Sequence, residues 1–253
     1  MGTESPLDDA ISAVAEELLT ADRAFALTGA GVSTASGIPD FRSEGGIWDK
    51  FDPQDFHYAR FKTEPGAFWV DRIEMHESAF GGDIEPNDAH RALAEMEQAG
   101  VLEAVITQNT DGLHAAAGSE SVVELHGTGM RVVCEGCGAR FDAGPVHDRV
   151  RDGERPPRCA ECDGILKPDV VLFGEELPEG AHQTAQMYAR QADVFLAVGS
   201  SLQVQPAASL PRVAGHRGTL VVINLEETPV SDGADYDIRA DVTDVLPAIV
   251  DRL

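Results

Sequence analysis

An α/β fold, with a mostly parallel sheet covered by helices on both faces and a smaller lobe inserted into it, is predicted by three features of this 253-residue sequence. Short β-rich apolar runs recur at residues 25–28, 101–107, 122–125, 170–173, 194–198 and 220–223. Continuous runs of this kind suit strands buried on both faces. Helix-like stretches lie between several of them, the clearest being 87–99, with Asn87 as N-cap and Gly100 as stop. Two stretches break the alternation. Residues 38–85 carry no strand signal but hold Trp48, Phe51, Phe56, Phe61 and Trp69, and residues 130–165 gather all four cysteines amid Gly, Pro and Arg. Both read as insertions that together build the smaller lobe. The expected division is therefore 1–37, 86–128 and 166–253 for the large domain, 38–85 for a helical insertion, and 129–165 for a cysteine module.

Composition narrows the class. Apolar residues make up 43% of the chain, enough for a packed core, which excludes a disordered or collagen-like protein. No apolar run approaches the roughly 18 residues that a membrane helix needs. The start, MGTESPLDDA, has no basic segment followed by an apolar one, and Pro6 stands where a myristoylation signal needs Ser or Thr. A cytoplasmic protein without membrane attachment is expected. Forty-four acidic residues face 19 basic ones, a formal charge of −25 with a pI near 4.4. Spread over roughly 11,000 Å² of surface, that is a net charge about every 20 Å, twice the ~10 Å Debye length at 0.1 M salt. Three lysines (Lys50, Lys62, Lys167) accompany sixteen arginines. An ordinary acidic cytosolic protein is one reading; adaptation to multimolar salt fits the scarce Lys and the spread of Asp better. Direct nucleic-acid binding is disfavoured, because two polyanions repel.

The first strand runs into TGAGVSTASGIPDFR, residues 28–42. Gly29 and Gly31 after a strand, then a helix-like segment, suit a phosphate cradle in a Rossmann-like domain, with backbone N–H groups aimed at a pyrophosphate. A tight βα turn without a ligand has the same pattern. Thr34 breaks the dehydrogenase G-x-G-x-x-G, so this is a nucleotide loop of another kind. Asn109 and Asp111 follow the 101–107 run and so sit at a strand's carboxyl end, where α/β sheets bind ligands. An amide and a carboxylate there can hold a carboxamide, and Asp111 can equally cap the next helix. His126 follows the 122–125 run and precedes Gly127; an imidazole there suits a general base, although most of the eight histidines are expected to be structural. The cysteines read Cys134-x2-Cys137-x21-Cys159-x2-Cys162, a spacing for tetrahedral zinc. Four thiolates leave no open position, which makes the metal structural; two redox pairs are the alternative. The segment PDVVLFGE, 168–175, is either a core strand or an edge that pairs with an extended peptide.

In order along the chain, TGAGVSTASGIPDFR, TQNTDGLH, LHG, PDVVLFGE, GSSLQVQPAA and INLEETP resemble the sirtuin family of NAD-dependent protein deacylases over nearly the whole length. The resemblance implies NAD-dependent removal of acetyl groups from protein lysines, giving nicotinamide, O-acetyl-ADP-ribose and free lysine. It implies NAD contacts from Gly29, Ala30, Gly31, Ser33, Asp40, Phe41, Arg42, Gln108, Asn109, Thr110, Asp111, Gly199, Ser200, Ser201, Asn224, Leu225, Glu226 and Val242. It makes His126 the catalytic base, with Asn109 and Asp111 holding nicotinamide. Val171, Phe173, Gly174 and Glu175 fall on the strand that takes the acetylated peptide, and Cys134, Cys137, Cys159 and Cys162 on the zinc site. Three positions depart from the family pattern: Thr110 replaces Ile or Val, Ser200 replaces Thr, and Ala240 replaces a common Gly. Family members that prefer succinyl or malonyl lysine carry a Tyr-x-x-Arg pair; here Arg72 and Met75 stand at those places, which favours acetyl. The rivals are deacylation of another acyl chain, mono-ADP-ribosyl transfer, and non-catalytic NAD binding.

Overall fold

The computed structural model describes residues 5–253; the first four residues of the acidic start lie outside them. The strands are β1 (Ala24–Thr28), β2 (Ala104–Thr107), β3 (Val122–Glu124), β4 (Gly127–Cys134), β5 (Arg140–Asp142), β6 (Leu166–Val170), β7 (Val194–Val198), β8 (Thr219–Ile223) and β9 (Tyr236–Ile238). The helices are α1 (Pro6–Thr20), α2 (Ile47–Lys50), α3 (Tyr58–Thr63), α4 (Pro65–Phe80), α5 (Asp88–Gln98), α6 (Leu113–Ala117), α7 (Ala143–Arg151), α8 (Glu179–Gln191), α9 (Leu210–Ala214) and α10 (Val242–Val250). None is long and apolar enough to cross a membrane.

Six strands form one parallel sheet in the order β3-β2-β1-β7-β8-β9. Every residue of β1 and β7 is buried, as the apolar runs require of central strands. Alternate side chains point to opposite faces. Ala26, Leu196 and Val221 pack on Leu18 of α1, Met96 of α5 and Leu246 of α10. Phe25, Phe195 and Val222 pack on Ala185 of α8 and Leu210 of α9. Helix α5 starts where expected: the Asn87 side chain accepts from the Ala89 and His90 amides, while His90 closes the reciprocal half of a capping box. It ends at Gly100, whose φ of +77° favours glycine.

Two expected strands are shorter than their apolar runs. The 101–107 run becomes a strand only at Ala104, because the amides of Val101 and Leu102 turn back to the Met96 carbonyl and close the preceding helix. The 170–173 run is strand only to Val170. Beyond it the Leu172 amide donates to the Glu175 carboxylate, which takes the chain out of the ladder.

The second sheet is antiparallel, β5-β4-β6. It draws β6 from beyond residue 165, and β4 begins at Gly127. Residues 38–85 contribute helices, with one isolated bridge between His57 and Phe173. Phe56, Phe61, Phe68 and Trp69 from that insertion share one core with Val132, Val146 and Leu166 of the cysteine module. The Trp69 indole N–H donates to the Leu166 carbonyl at 2.8 Å, so the largest ring in this core is also hydrogen-bonded. The two insertions thus fold together as a single small lobe.

Candidate active site and metal centre

Strand order reverses between β1 and β7, and in open α/β sheets the crevice beyond such a point is where ligands bind. The loops leaving these two strands touch. The Gly29 amide donates to the Val198 carbonyl, and the Gly31 amide to the Gly199 carbonyl at 2.8 Å. A Cβ on Gly29 would lie 2.7 Å from that of Ser200, and one on Gly31 would lie 2.8 Å from the Gly199 oxygen. Glycine is needed there because backbone meets backbone. The segment after the loop is not the helix expected from sequence. It forms two short 3-10 turns, Ala30–Val32 and Thr34–Ser36, stopped by Gly37 at φ +89° and by Pro39. No long helix dipole is therefore aimed at the crevice, and the exposed groups are loop amides.

The 108–111 segment enters the same crevice from β2. Asn109, 9% exposed, donates through Nδ2 to the Gly29 carbonyl (3.1 Å) and to Ser33 Oγ (3.0 Å). Ser33 in turn donates to Asp111 Oδ2 at 2.7 Å. The other Asp111 oxygen accepts from the Leu113 amide, the first of α6, so the carboxylate is held between that amide and Ser33, while the helix cap itself is Gly112. Gln108 donates to Ser200 Oγ at 2.9 Å, tying the β2 and β7 loops together.

His126 sits in the turn between β3 and β4. Its Nδ1 lies 3.0 Å from the Gln108 carbonyl, which makes Nδ1 the protonated nitrogen and leaves the Nε2 lone pair available. Burial holds its pKa below the usual 6.5, although the Gln108 carbonyl pulls the other way. The ring is neutral at pH 7, as a general base must be.

The remaining expected contacts lie around this centre. Thr110 accepts the Gly129 amide on its carbonyl at 2.7 Å. Asp40 accepts from the Arg42 and Ser43 amides at 2.8 Å each; burial would raise its carboxyl, and these bonds hold it below the ordinary range. Phe41 and Phe173, 37% and 39% exposed, both pack against Trp48, forming an apolar wall open to solvent. Ser201 is exposed beside buried Ser200. Asn224, Leu225 and Glu226 follow β8, and Val242 follows β9 after a short link, so all four lie along the same carboxyl edge of the sheet. Leu225 is 68% exposed, whereas Val242 is buried at the start of α10. In the 171–175 segment, the Val171 amide donates to the His126 carbonyl and the Phe173 amide to the Phe56 carbonyl. Glu175 binds the Lys167 ammonium at 3.1 Å, and Gly174 at φ +78° lies against the His57 ring.

The four cysteine sulfurs lie within 4.8 Å of one another. Cys134 and Cys162 are 3.5 Å apart, Cys137 and Cys159 3.8 Å. Tetrahedral zinc with Zn–S of about 2.3 Å puts its sulfurs about 3.8 Å apart, so the cluster fits that metal. The Gly136 and Glu161 amides donate to Cys134 and Cys159 sulfur. A Cβ on Gly164 would come within 2.8 Å of the Cys134 sulfur. The knuckles are shaped around the thiolates.

Sequence reasoning gave no role to His90 and His114. Their rings meet at 4.9 Å beneath the crevice. His114 Nε2 lies 2.9 Å from Thr28 Oγ1, and His90 Nε2 lies 3.4 Å from Ser33 Oγ. Burial pushes them down to about 4 (His90) and about 3 (His114), so both are neutral spacers under the 29–33 loop. His114 lies within TQNTDGLH, but nothing in that string signals a contact with Thr28, some 86 residues away.

A parallel-sheet nucleotide crevice joined to a small four-cysteine lobe, with a neutral histidine between them, defines a two-lobed α/β class of ligand-binding protein. The Sir2 family model matches residues 29–206, and the chain belongs to that family. It is 57% identical over 248 residues to an NAD-dependent protein deacetylase of Haloarcula marismortui, covering 97% of this chain and 95% of the relative. A structure solved for the mechanism and regulation of Sir2 enzymes superposes with a TM-score of 0.86 at 42% identity, covering 97% of this chain and 98% of the other. A Sir2 protein solved with a deacetylated p53 peptide and 3′-O-acetyl ADP-ribose has a TM-score of 0.88 at 35% identity, covering 95% and 97%.

Proposed function

We infer that this protein removes acetyl groups from lysine side chains of proteins, with NAD as co-substrate. The observation that carries the reading is the His126 imidazole, neutral and with Nε2 free, set beside the Asn109–Ser33–Asp111 chain at the switch point of the sheet. The crevice fits NAD: its walls are loop glycines in backbone contact, and its floor is lined with amide, hydroxyl and carboxylate groups that match a carboxamide and ribose. When bound, NAD supplies an activated glycosidic carbon to which the acetyl oxygen can bond as nicotinamide leaves.

The chain's own residues do the rest. Asn109 and Asp111 hold the nicotinamide carboxamide, and Ser33 fixes their separation. Gly29, Ala30, Gly31, Gly199, Ser200 and Ser201 take the phosphates. Asp40 and Arg42 shape the loop that places Phe41 over the reacting carbon, where it excludes water. Gln108 couples the two loops and orients His126 through its carbonyl. His126 Nε2 accepts a proton from a ribose hydroxyl, which lets the acyl group move onto the ribose and frees the lysine. Asn224, Leu225, Glu226 and Val242 serve the adenosine end, where Thr110 has no part. Thr110 instead lies on the nicotinamide side.

The acetylated peptide binds as an added strand beside residues 171–175, with Phe41, Trp48 and Phe173 walling the lysine's path. Cys134, Cys137, Cys159 and Cys162 hold a structural zinc that keeps the small lobe folded. The large domain comprises 1–37, 86–128 and 166–253, and 38–85 with 129–165 form the lobe that shares its sheet with β6. We place the protein in the cytoplasm of a salt-adapted cell, where its charge keeps it soluble. Mass spectrometry of an acetyl-lysine peptide incubated with NAD and the protein in multimolar salt tests this reading. Deacetylated peptide with nicotinamide and O-acetyl-ADP-ribose is expected; protein-linked ADP-ribose or no nicotinamide at all would overturn it.

A further inference from the structure

Of the three lysines in this chain, Lys50 and Lys62 are exposed and Lys167 is buried, at 5% exposure. Its ammonium reaches three oxygens: the carbonyls of Pro168 at 3.2 Å and Val170 at 2.8 Å, and Oε2 of Glu175 at 3.1 Å. Three acceptors match the three N–H donors of an ammonium. The chain otherwise prefers Arg, sixteen times against three Lys. A planar guanidinium cannot turn three donors onto oxygens gathered about one point, which is a physical reason for Lys here. A buried ion pair adds little net stability over apolar packing of the same volume; its best-attested use is to select one arrangement of the chain.

The arrangement selected is that of residues 171–175. Glu175 Oε2, held by Lys167, also accepts the Leu172 amide at 2.9 Å. The Glu175 amide donates to the Leu172 carbonyl and closes a turn through Gly174, at φ +78°. Lys167 also grips the carbonyl of Val170, the last residue of β6, so one ammonium ties the end of the strand to the end of the turn. Leu172 thereby uses both its backbone groups within the segment, and among the described residues the Val171 carbonyl and the Gly174 amide keep no partner. A peptide can pair only with backbone groups that the segment has not used itself. On the catalytic side the Val171 amide donates to the His126 carbonyl, so the same clamp sets the segment against the base.

We propose that Lys167 is a positioning residue for the acetylated peptide: through Glu175 it fixes the shape of 171–175, and with it the backbone groups left for the incoming strand. The proposal rests on the deacylase reading, in which that segment receives the peptide. None of the three partners of Lys167 belongs to the NAD crevice, so the effect falls on peptide binding and not on the co-substrate.

The test compares wild type with Lys167→Met, which keeps length and loses the charge, and Lys167→Arg, which keeps the charge and loses the three-donor geometry. Nicotinamide release is measured against acetyl-lysine peptide and against NAD. In both variants KM for the peptide is expected to rise by about tenfold or more, with kcat and KM for NAD within about threefold of wild type. Hydrogen exchange at the Leu172 amide is expected to speed up in both, while the amides of β7 keep their protection. Glu175→Gln, at a partly exposed position, is expected to shift the peptide KM in the same direction, and adding Lys167→Met to it adds little further, because the two act through one clamp. The Glu175 variant carries the test if Lys167→Met does not fold. An unchanged peptide KM in either Lys167 variant overturns the proposal. So does loss of peptide affinity, NAD affinity and kcat in step with the thermal midpoint, which marks an ion pair that serves the fold alone. Wild type that releases no nicotinamide in the presence of the peptide is instead a failure of the deacylase reading, and Leu172 exchange still decides whether Lys167 holds the segment.

Discussion

Each lobe packs a pair of histidine rings edge to face, and the two pairs are built for different ends. In the large domain, His90 and His114 pack edge to face at 4.9 Å and are wired to Thr28, Ser33 and the Asn87 cap. In the small lobe, His76 and His147 pack at 4.6 Å against Trp69 and Phe80, with no hydrogen bond to either ring among the described residues. The first pair props a polar loop; the second fills apolar space. Charge does not follow that division: residues 129–165 hold six arginines against seven acidic residues, but residues 38–85 hold five basic against eleven acidic ones, so the small lobe carries −7 of the −25. The large domain can carry repulsion because a six-strand sheet packed on both faces offsets it. The small lobe has one core and a sheet of only three strands, so it relies on four sulfurs.

The sharpest way to break this comparison is to remove the metal. Structural zinc in small modules contributes about 10–16 kcal/mol of apparent binding free energy. Chelation, or Cys159→Ser, is expected to unfold the small lobe while leaving the parallel sheet intact. Limited proteolysis would then cut within 129–165 first; simultaneous loss of both lobes would show that they fold as one unit.

His126→Ala separates function from fabric. It is expected to lower kcat/KM for acetyl-lysine peptide by about 10²–10⁴-fold. NAD binding and the thermal midpoint should change little, because His126 makes its bond to a carbonyl at the crevice rim and not in either core. A large drop in the midpoint would place the ring in the fabric instead.

Acid should probe both histidine pairs. Burial lowers His90 and His76 to about 4, and His114 and His147 to about 3, from an ordinary 6.5. Below 6.5 the unfolded chain therefore binds protons that the folded chain refuses. Stability is fully present above about pH 6.5 and falls as pH drops toward 4, by at most about 1.4 kcal/mol per pH unit for each histidine. Half-buried His76 contributes less. His147→Gln is expected to flatten the acid dependence of the small lobe, read by tryptophan fluorescence of Trp69, and to leave that of the sheet unchanged. The acid limb of kcat/KM should lie below 6.5, since His126 is also lowered.

The smallest effect concerns salt. Activity and midpoint should rise with KCl as repulsion in the large domain is screened, with an optimum above ~0.2 M. An optimum below that would remove the salt-adaptation reading.

Much of this was legible in the sequence because it is local. Apolar runs specify central strands, Asn87 and Gly100 bracket a helix, and two Cys-x-x-Cys pairs specify a metal knuckle wherever the chain puts them. The glycines of 29–31 announced a tight turn for the same reason. What followed that turn was not legible: two 3-10 turns replace a helix, since Gly37 and Pro39 cut it short. The strand lengths at 101–107 and 170–173 were decided by amides that found other acceptors, at Met96 and Glu175. Only the tertiary structure brings Gly29 against Ser200 and Thr28 against His114. Those contacts join residues tens to hundreds of positions apart, and no local propensity encodes which distant backbone will lie against a missing side chain. Residue type thus determined which chemistry was available, and packing decided which groups meet to use it.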